Sequence, residues 1–367
     1  MSDANVVDVL SLNEATDLVQ HTGQDVSYLF LGEMGIGKSH MLYELGKRMP
    51  EYQCMYAEVP TFDTSDITGV PFTEVINGVK VTRFAPNAML NIQSDRPVLF
   101  MADEIGKGTR PVQNTFLRLF HEHKIGEFSL PTGRSATGQV LQSIVFATSN
   151  LAAEGLGDHV QEHFRNRGST IEIRKPTAEE WIIWAMANDI HPVIIAWVKK
   201  FPRCFASYRD GDGNPYINYP TKPSKAFVSG RSLHKASHIM WKREKLPNHV
   251  TRVAIAGCVG ASAANDIMTF ADTYDRLPSW DAIVASPDTA YVPSNQDFAG
   301  NFVSVFSAVS LVERKTMAPW MAYCQRLPKE YQGVFALNVL TSPARSVALN
   351  NRAFVTWATQ NHWVVGV

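Results

Sequence analysis

The chain has 367 residues, of which 45% are hydrophobic and 19% are charged, a balance typical of a folded globular protein and unlike that of a disordered chain. No apolar run approaches the roughly 18 residues needed to span a bilayer, so we expect no membrane partner. The four cysteines lie far apart, without the spacing of a metal or redox motif, and we expect them to stay reduced in the cytoplasm.

The net charge of −1 conceals an uneven distribution along the chain. Residues 1–198 contain 15 Lys and Arg against 24 Asp and Glu, whereas residues 199–245 contain 11 against 3. A basic band that follows an acidic segment indicates either a surface for a partner or a contact between subunits.

A glycine-rich octapeptide lies between a predicted strand, residues 28–31, and a predicted helix, residues 40–49. This order is the context of a phosphate-binding loop, because the glycines let successive N–H groups point at one anion. The predicted nucleotide-binding residues are Gly32, Glu33, Met34, Gly35, Ile36, Gly37, Lys38 and Ser39. Lys38 is predicted to reach the β- and γ-phosphates of ATP, and the Ser39 hydroxyl to complete the shell of a Mg²⁺ ion.

Residues 52–59 read as a second strand, so the chain begins with the strand, helix, strand order of a parallel α/β sheet. Two alternating runs follow, residues 72–76 and 79–84, and the Asn77-Gly78 pair between them is the strongest short signal for a hairpin. A second hairpin is predicted over about residues 126–141. Such hairpins are either functional inserts or surface excursions.

A continuous apolar run, residues 98–102, predicts a buried strand that ends in Asp103 and Glu104. In a phosphate-loop fold, catalytic groups gather at the carboxyl ends of strands beside the loop. Asp103 is predicted to hold Mg²⁺, directly or through water, and Glu104 to polarise the water that attacks the γ-phosphate. An acidic pair after a strand can also simply cap the next segment.

Further polar residues follow the later predicted strands. Asn150 ends the apolar run 143–149 and can either orient the attacking water or form a turn. Arg165 and Arg167 precede a strand at residues 169–173. They are either solvated charges or groups that reach the γ-phosphate in an adjacent subunit, where a guanidinium stabilises charge that develops in the transition state.

The order of these motifs resembles that of the AAA+ ATPases, and within them the MoxR type, including the CbbQ-like rubisco activases. The matching segments are residues 32–39 (Walker A), residues 98–104 (Walker B), Asn150 (sensor 1), Arg167 in HFRNRG (arginine-finger box) and Arg231 in FVSGRSLHKAS (sensor 2). The sequence departs from the family at Gly168, where Phe or Cys is common.

The resemblance implies a P-loop NTPase fold of the AAA+ type, an α/β parallel sheet with helices on both faces. It implies a nucleotide-binding domain at residues 1–175, a helical lid domain at 176–272 and a mostly helical C-terminal extension at 273–367. Residues 64–86 resemble the helix-2 insert of the group, and residues 126–141 resemble its pre-sensor-1 hairpin.

The resemblance also implies a homo-hexameric ring in which ATP and Mg²⁺ lie between subunits. Asp103, Glu104 and Asn150 would act in cis and Arg167 in trans, while Arg231 would couple the nucleotide state to the angle of the lid. Proteins of the MoxR type remodel or activate protein targets and are often paired with a partner that carries a von Willebrand factor A domain. Here that partner would be a separate polypeptide.

The sequence bears on two other functions. The basic band 199–245 is compatible with a nucleic-acid motor or loader, whose binding would depend strongly on salt. The aromatic residues of this band that could stack on bases include Phe201, Phe205, Tyr208, Tyr216 and Tyr219. A ring that binds ATP as a switch and hydrolyses it slowly is disfavoured by the presence of Glu104, Asn150 and both arginines.

Overall fold

The computed structural model describes residues 9–154, 160 and 167–362. The chain forms two compact units, the first ending at Lys175 and the second beginning at Pro176. The strands that the structure describes all lie in the first unit, together with several helices, and the described elements of the second unit are helices. In the described ranges, no helix combines the length and the apolar character needed to cross a bilayer.

The elements of the first unit alternate between strands and helices. The strands are β1 (Tyr28–Gly32), β2 (Gln53–Glu58), β3 (Val70–Ile76), β4 (Val79–Ala85), β5 (Val98–Asp103), β6 (Lys124–Ile125), β7 (Phe128–Ser129), β8 (Gly133–Arg134), β9 (Val140–Leu141), β10 (Ile144–Ser149) and β11 (Ser169–Ile173). The described helices are α1 (Leu12–Thr22), α2 (His40–Arg48), α3 (Thr64–Thr68) and α4 (Arg110–Glu122).

A five-stranded parallel sheet forms the centre of the first unit, in the spatial order β11, β1, β10, β5, β2. β10 therefore separates β1 from β5 and contacts both. Because all five strands are parallel, the carboxyl ends of β1, β10 and β5 lie side by side at one edge of the sheet. This edge holds the residues that follow those three strands.

Helices cover both faces of this sheet, since successive side chains of a strand point to opposite sides. Tyr28 and Phe30 of β1 pack in a buried cluster with residues of α1 and α2, whereas Leu29 packs in a second cluster with residues of α4. On β5, Leu99 belongs to the first cluster and Phe100 to the second. The predicted fold class, an α/β parallel sheet with helices on both faces and a helical part after it, is confirmed.

The hairpin predicted around Asn77-Gly78 is present, with β3 and β4 paired along their full lengths. Asn77 and Gly78 have φ values of 50° and 80°, the positive values that a two-residue hairpin turn requires. Every residue of β3 is exposed, as are most residues of β4, so the ribbon stands out from the unit with both faces in solvent.

The prediction of one hairpin over about residues 126–141 is wrong in its pairing. β7 pairs backwards with β6, and β9 pairs with β8. Gly126, at φ 57°, allows the chain to turn immediately after β6. Gly133 packs so closely against Pro97 that a Cβ on this glycine would lie 2.4 Å from the proline ring. Residues 124–141 therefore form two short antiparallel ladders.

The second unit is built from helices around one buried cluster. These helices are α5 (Ala178–Met186), α6 (Pro192–Lys200), α7 (Gly230–Met240), α8 (Asn248–Val259), α9 (Ala261–Tyr274), α10 (Trp280–Ala285), α11 (Phe298–Leu311), α12 (Met317–Cys324), α13 (Lys329–Thr341), α14 (Arg345–Leu349) and α15 (Arg352–Gln360). The cluster extends from Ala178 to Trp357 and contains residues from both sides of position 272. The division into a lid at residues 176–272 and an extension at residues 273–367 stays a prediction.

Candidate nucleotide-binding site

The glycine-rich loop runs from the carboxyl end of β1 to the start of α2. Gly35 and Gly37 have φ values of 77° and 108°, in the region where side chains introduce strain. Gly32 is needed for space, since a Cβ there would lie 2.6 Å from the Ile36 side chain and 2.9 Å from the carbonyl oxygen of Ile173. Three glycines of the predicted motif are therefore required by the backbone itself.

The ammonium group of Lys38 lies inside this loop, and the residue is only 7% exposed. Its Nζ donates hydrogen bonds to the carbonyl oxygens of Gly32, at 2.6 Å, and Glu33, at 2.9 Å. It also donates to Oδ1 of Asn150 at 2.9 Å. Asn150 follows β10, the strand next to β1, so the sheet order brings these two predicted site residues together across the edge.

The buried carboxylate of Asp103 accepts hydrogen bonds on both of its oxygens. Oδ2 accepts from the Ser39 hydroxyl at 2.6 Å and from the Tyr56 hydroxyl at 2.8 Å. Oδ1 accepts from the backbone N–H of Glu104 at 3.1 Å and from the Thr148 hydroxyl. The two residues predicted to hold the metal are thus in direct contact.

Ser39 and Asp103 present oxygen donors, which are the ligands that Mg²⁺ prefers. In nucleotide sites Mg²⁺ is usually held by one or two carboxylates together with substrate phosphates and water, not by a cage of protein ligands. Among the residues that the structure describes, no group of three or more His, Cys, Asp and Glu side chains is placed to hold a metal. The donor set fits a Mg²⁺ ion that arrives with a nucleotide.

Tyr56 and Thr148 were not identified from the sequence, although they flank Asp103 on the two strands next to β5. Tyr56 lies on β2, where Glu58 is level with Asp103, and Thr148 lies on β10. Partial burial, together with the hydrogen bond to the Asp103 carboxylate, raises the pKa of Tyr56. Its hydroxyl therefore remains a hydrogen-bond donor at neutral pH. A polar side chain near the carboxyl end of a strand is the one signal that points to such residues.

Glu104, the predicted base, has a left-handed backbone conformation with φ 55°. Positive φ is uncommon for residues other than glycine, and such conformations cluster at functional sites. One carboxylate oxygen of Glu104 lies 2.7 Å from Nζ of Lys107, and the two side chains are 32% and 27% exposed. Glu104 thus follows Asp103 directly, and its carboxylate forms a partly exposed ion pair with Lys107. The sequence did not predict this pair.

Arg167 lies at the opposite edge of the sheet from the glycine-rich loop of its own chain. In the parallel register of β1 and β11, Ser169 is level with Tyr28 and Ile173 is level with Gly32. At about 3.3 Å per residue, the four residues between these levels span roughly 13 Å, and Arg167 lies two residues further away. The structure therefore does not group Arg167 with Lys38. Arg165 lies outside the described residues.

The surroundings of Arg167 are formed by the end of α4 and the start of β1. The exposed Arg167 lines a cavity of about 400 Å³ together with Ser27, His121 and His123. His123 Nε2 lies 3.4 Å from the Ser27 hydroxyl, and burial lowers the pKa of this histidine. A Cβ on Gly168 would lie 2.6 Å from the carbonyl oxygen of Ser27, so close packing explains the glycine at this position.

Glu33 and Arg231 complete the predicted set. Glu33, buried within the loop, pairs with Lys175 at 3.0 Å. Arg231 belongs to the second unit, where it is exposed in the first turn of α7, a helix whose capping residue is Ser229. Within the described residues, no carboxylate lies within 4.0 Å of the Arg231 guanidinium.

No family model matches the chain, and no curated protein matches it. Among solved structures, it is similar to NtrX from Brucella abortus in complex with ADP, with 13% identity, a TM-score of 0.36 and coverage of 97% of this chain and 68% of NtrX. It is also similar to the RuvB Holliday junction branch migration motor of Thermotoga maritima, with 12% identity, a TM-score of 0.33 and coverage of 76% and 75%. These likenesses are too weak to indicate an activity.

Proposed function

We propose that the chain is a Mg²⁺-dependent ATPase of the AAA+ type. The observation that carries this proposal is the 2.6 Å hydrogen bond from Ser39 to Asp103, made beside the 2.9 Å contact between Lys38 and Asn150. These side chains follow the neighbouring strands β1, β10 and β5, and they contact one another beside the glycine-rich loop. A phosphate-binding loop, a metal-binding pair and a polar amide at one edge are the parts that phosphoryl transfer to water requires.

The loop and Lys38 would bind the phosphates of ATP. Lys38 would exchange its contacts with loop carbonyls for contacts with phosphate oxygens, and the amino end of α2 would add its positive potential. Mg²⁺, when bound, neutralises the charge of the phosphates, and Ser39 and Asp103 are the residues that would hold it.

Glu104 would act as the base that polarises the attacking water, and Asn150 would orient that water. For this the Glu104 carboxylate must exchange its contact with Lys107 for a contact with water. Exposed ion pairs contribute only about 0.2–1 kcal/mol, so the exchange costs little.

Arg167 supports a ring in which each nucleotide site is completed by a neighbouring subunit. Its position at the opposite edge of the sheet is unsuitable for contact with ATP in its own chain, which agrees with the trans role that the family resemblance implies. We propose that Arg167 acts in trans, in the homo-hexameric ring that the family resemblance implies. In the same proposal Arg231, from the second unit, couples the nucleotide state to movement of that unit.

A protein target is favoured by the exposed ribbon of β3 and β4. Val70, Val75 and Val79 are each more than 60% exposed, although valine is usually buried. Arg83 of this ribbon pairs at 3.5 Å with both Glu74 and Glu127. Because Glu127 lies in the turn between β6 and β7, the second pair connects the ribbon to that turn. An apolar ribbon held by ion pairs suits contact with another polypeptide. A separate partner with a von Willebrand factor A domain remains a prediction from the resemblance.

The nucleic-acid alternative loses support from the packing of the basic band. Phe201, Phe205 and Tyr216 contact the core of the second unit, and the Tyr216 hydroxyl donates to Asp266 at 2.8 Å. The Tyr219 hydroxyl donates to a backbone carbonyl. Aromatic rings used in this way do not form a platform on which bases stack.

The test is the release of phosphate from ATP by the wild type and by Glu104→Gln. We expect the variant to bind ATP normally and to hydrolyse it at least about a hundredfold more slowly, the usual contribution of a general base. Glu122→Gln is the matched control, because Glu122 is an exposed glutamate that pairs with Arg118 on α4. Unchanged turnover in Glu104→Gln would refute the base assignment, and a wild-type chain that binds no ATP would refute the function.

A further inference from the structure

Glu33 places a negative charge inside a loop that is proposed to bind a polyanion. It directly follows Gly32, and its carbonyl oxygen accepts a hydrogen bond from Nζ of Lys38 at 2.9 Å. The Glu33 side chain is 9% exposed, and its carboxylate lies 3.0 Å from Nζ of Lys175, whose side chain is 15% exposed. The ion pair is therefore largely shielded from water.

The backbone of the sheet brings the two residues together. Gly32 and Ile173 are level at the ends of β1 and β11, so the chain leaves both strands at the same height. The exit from β11 is held by Leu10, whose N–H donates to the carbonyl of Glu172 at 3.0 Å and whose carbonyl accepts from the N–H of Arg174 at 2.9 Å. Lys175 is the next residue, and it is the last one of the first unit.

A buried carboxylate needs a compensating charge, and its effect on nearby anions is strong because few waters screen it. Loss of the Lys175 charge would increase the repulsion between Glu33 and each phosphate that enters the loop. The Arg48–Asp17 pair offers a contrast, since it joins the far end of α2 to α1, and the Asp17 side chain is 58% exposed. Loss of that pair would leave the charge of the loop unchanged.

We propose that Lys175 is an electrostatic positioning residue of the phosphate loop, which neutralises Glu33 and thereby allows the loop to accept the triphosphate of a nucleotide. This inference rests on the proposed nucleotide-binding function. Lys175 is the last residue of the first unit, and in this proposal it contributes to the affinity for the ligand.

The test measures the affinity of the full chain for ATP and for ADP in Lys175→Met, Glu33→Gln and the double variant. We expect Lys175→Met to bind ATP at least about tenfold more weakly, with a smaller loss for ADP because it carries less charge. Glu33→Gln is expected to bind ATP more tightly than the wild type, because one negative charge beside the phosphates is removed. The double variant is expected to recover most of the loss, and Lys175→Arg to retain the affinity.

Arg48→Met is the control, because it makes the same change of charge on the same unit away from the loop. Recovery in the double variant separates electrostatic neutralisation from a packing role, since lost packing is not restored by a change at Glu33. Normal ATP binding by Lys175→Met, or equal losses in the single and double variants, would overturn the inference alone. A wild-type chain that binds neither ATP nor ADP would overturn the proposed function together with it.

Discussion

The ammonium group of Lys107 lies 2.7 Å from a carboxylate oxygen of Glu104, so the proposed base is engaged by a cation three residues further along the chain. We predict that Lys107→Met increases the turnover of ATP, because the carboxylate no longer has to leave this pair before it contacts water. The pair is partly exposed, so the gain should not exceed about fivefold. Steady-state phosphate release at saturating ATP measures it.

Lys124→Met serves as the control for Lys107→Met. Lys124 is also a half-buried lysine, but it lies on β6 and not beside Glu104. A large fall in turnover in Lys107→Met, with ATP binding intact, would show instead that Lys107 contacts the reacting groups and that the observed pair belongs to the active arrangement.

Tyr56 donates to the same oxygen of Asp103 as Ser39 does, and we predict that Tyr56→Phe weakens the response of the enzyme to Mg²⁺. Residues that orient a metal ligand commonly contribute about tenfold or more to metal affinity, and the lower end is expected here because Tyr56 is 46% exposed. The Mg²⁺ concentration for half-maximal activity should rise while the maximal rate changes little. Tyr43→Phe, on the exposed face of α2, is the matched control, and an unchanged Mg²⁺ response would remove Tyr56 from the metal site.

The glycine-rich loop could be predicted from the sequence because its constraints are local. Gly35 and Gly37 need positive φ, and Lys38 and Ser39 follow at fixed positions. The carboxyl ends of apolar runs likewise indicated Asp103 and Asn150. Their mutual distances depend on the strand order, which puts β10 between β1 and β5, and the sequence pattern did not predict this order.

The residues that were missed depend on register between strands distant in sequence. Tyr56 reaches Asp103 because β2 lies beside β5, and Lys175 reaches Glu33 because β11 ends level with β1. Neither relationship leaves a pattern in either segment alone. The pairing error over residues 126–141 has a local cause, since one turn at Gly126 and another within residues 135–139 close two short ladders where the sequence pattern predicts one long hairpin.

The position of Arg167 predicts complementation between inactive subunits. Arg167→Ala and Lys38→Ala should each hydrolyse ATP far more slowly than the wild type. In mixed rings, some sites combine an intact loop from the Arg167→Ala chain with an intact arginine from the Lys38→Ala chain. We therefore expect partial recovery of phosphate release on mixing, measured after the formation of mixed rings has been verified by subunit exchange.

Arg118→Ala controls for the loss of an exposed arginine, since Arg118 pairs with Glu122 on the surface of α4. Arg165→Ala, tested in parallel, distinguishes the two arginines that precede β11. Recovery by mixtures containing Arg165→Ala, together with an active Arg167→Ala chain, would assign the trans role to Arg165. Mixed rings that stay inactive would count against a site shared by two subunits.

His191 predicts a loss of stability of the second unit in acid. Burial lowers its pKa to about 3, with the charge of Arg243 as a smaller cause, and its Nδ1 accepts a hydrogen bond from the N–H of Val193 at 3.2 Å. Trp241 packs on the ring, with 4.4 Å between the ring centroids. The neutral ring therefore caps α6, and protonation would break this cap and place a charge in the core.

The folded pKa of His191 lies below the unfolded value of about 6.5, so its contribution is complete above about pH 6.5 and is lost as the pH falls toward 3. The expected slope is at most about 1.4 kcal/mol per pH unit. All eight tryptophans lie after residue 175, so urea unfolding followed by tryptophan fluorescence reports on the second unit. Because Asn also caps helices, His191→Asn should lose less unfolding free energy than the wild type between about pH 7 and pH 4.5. The exposed His249→Asn should follow the wild type, and parallel curves for all three chains would exclude His191 as the source of the pH dependence.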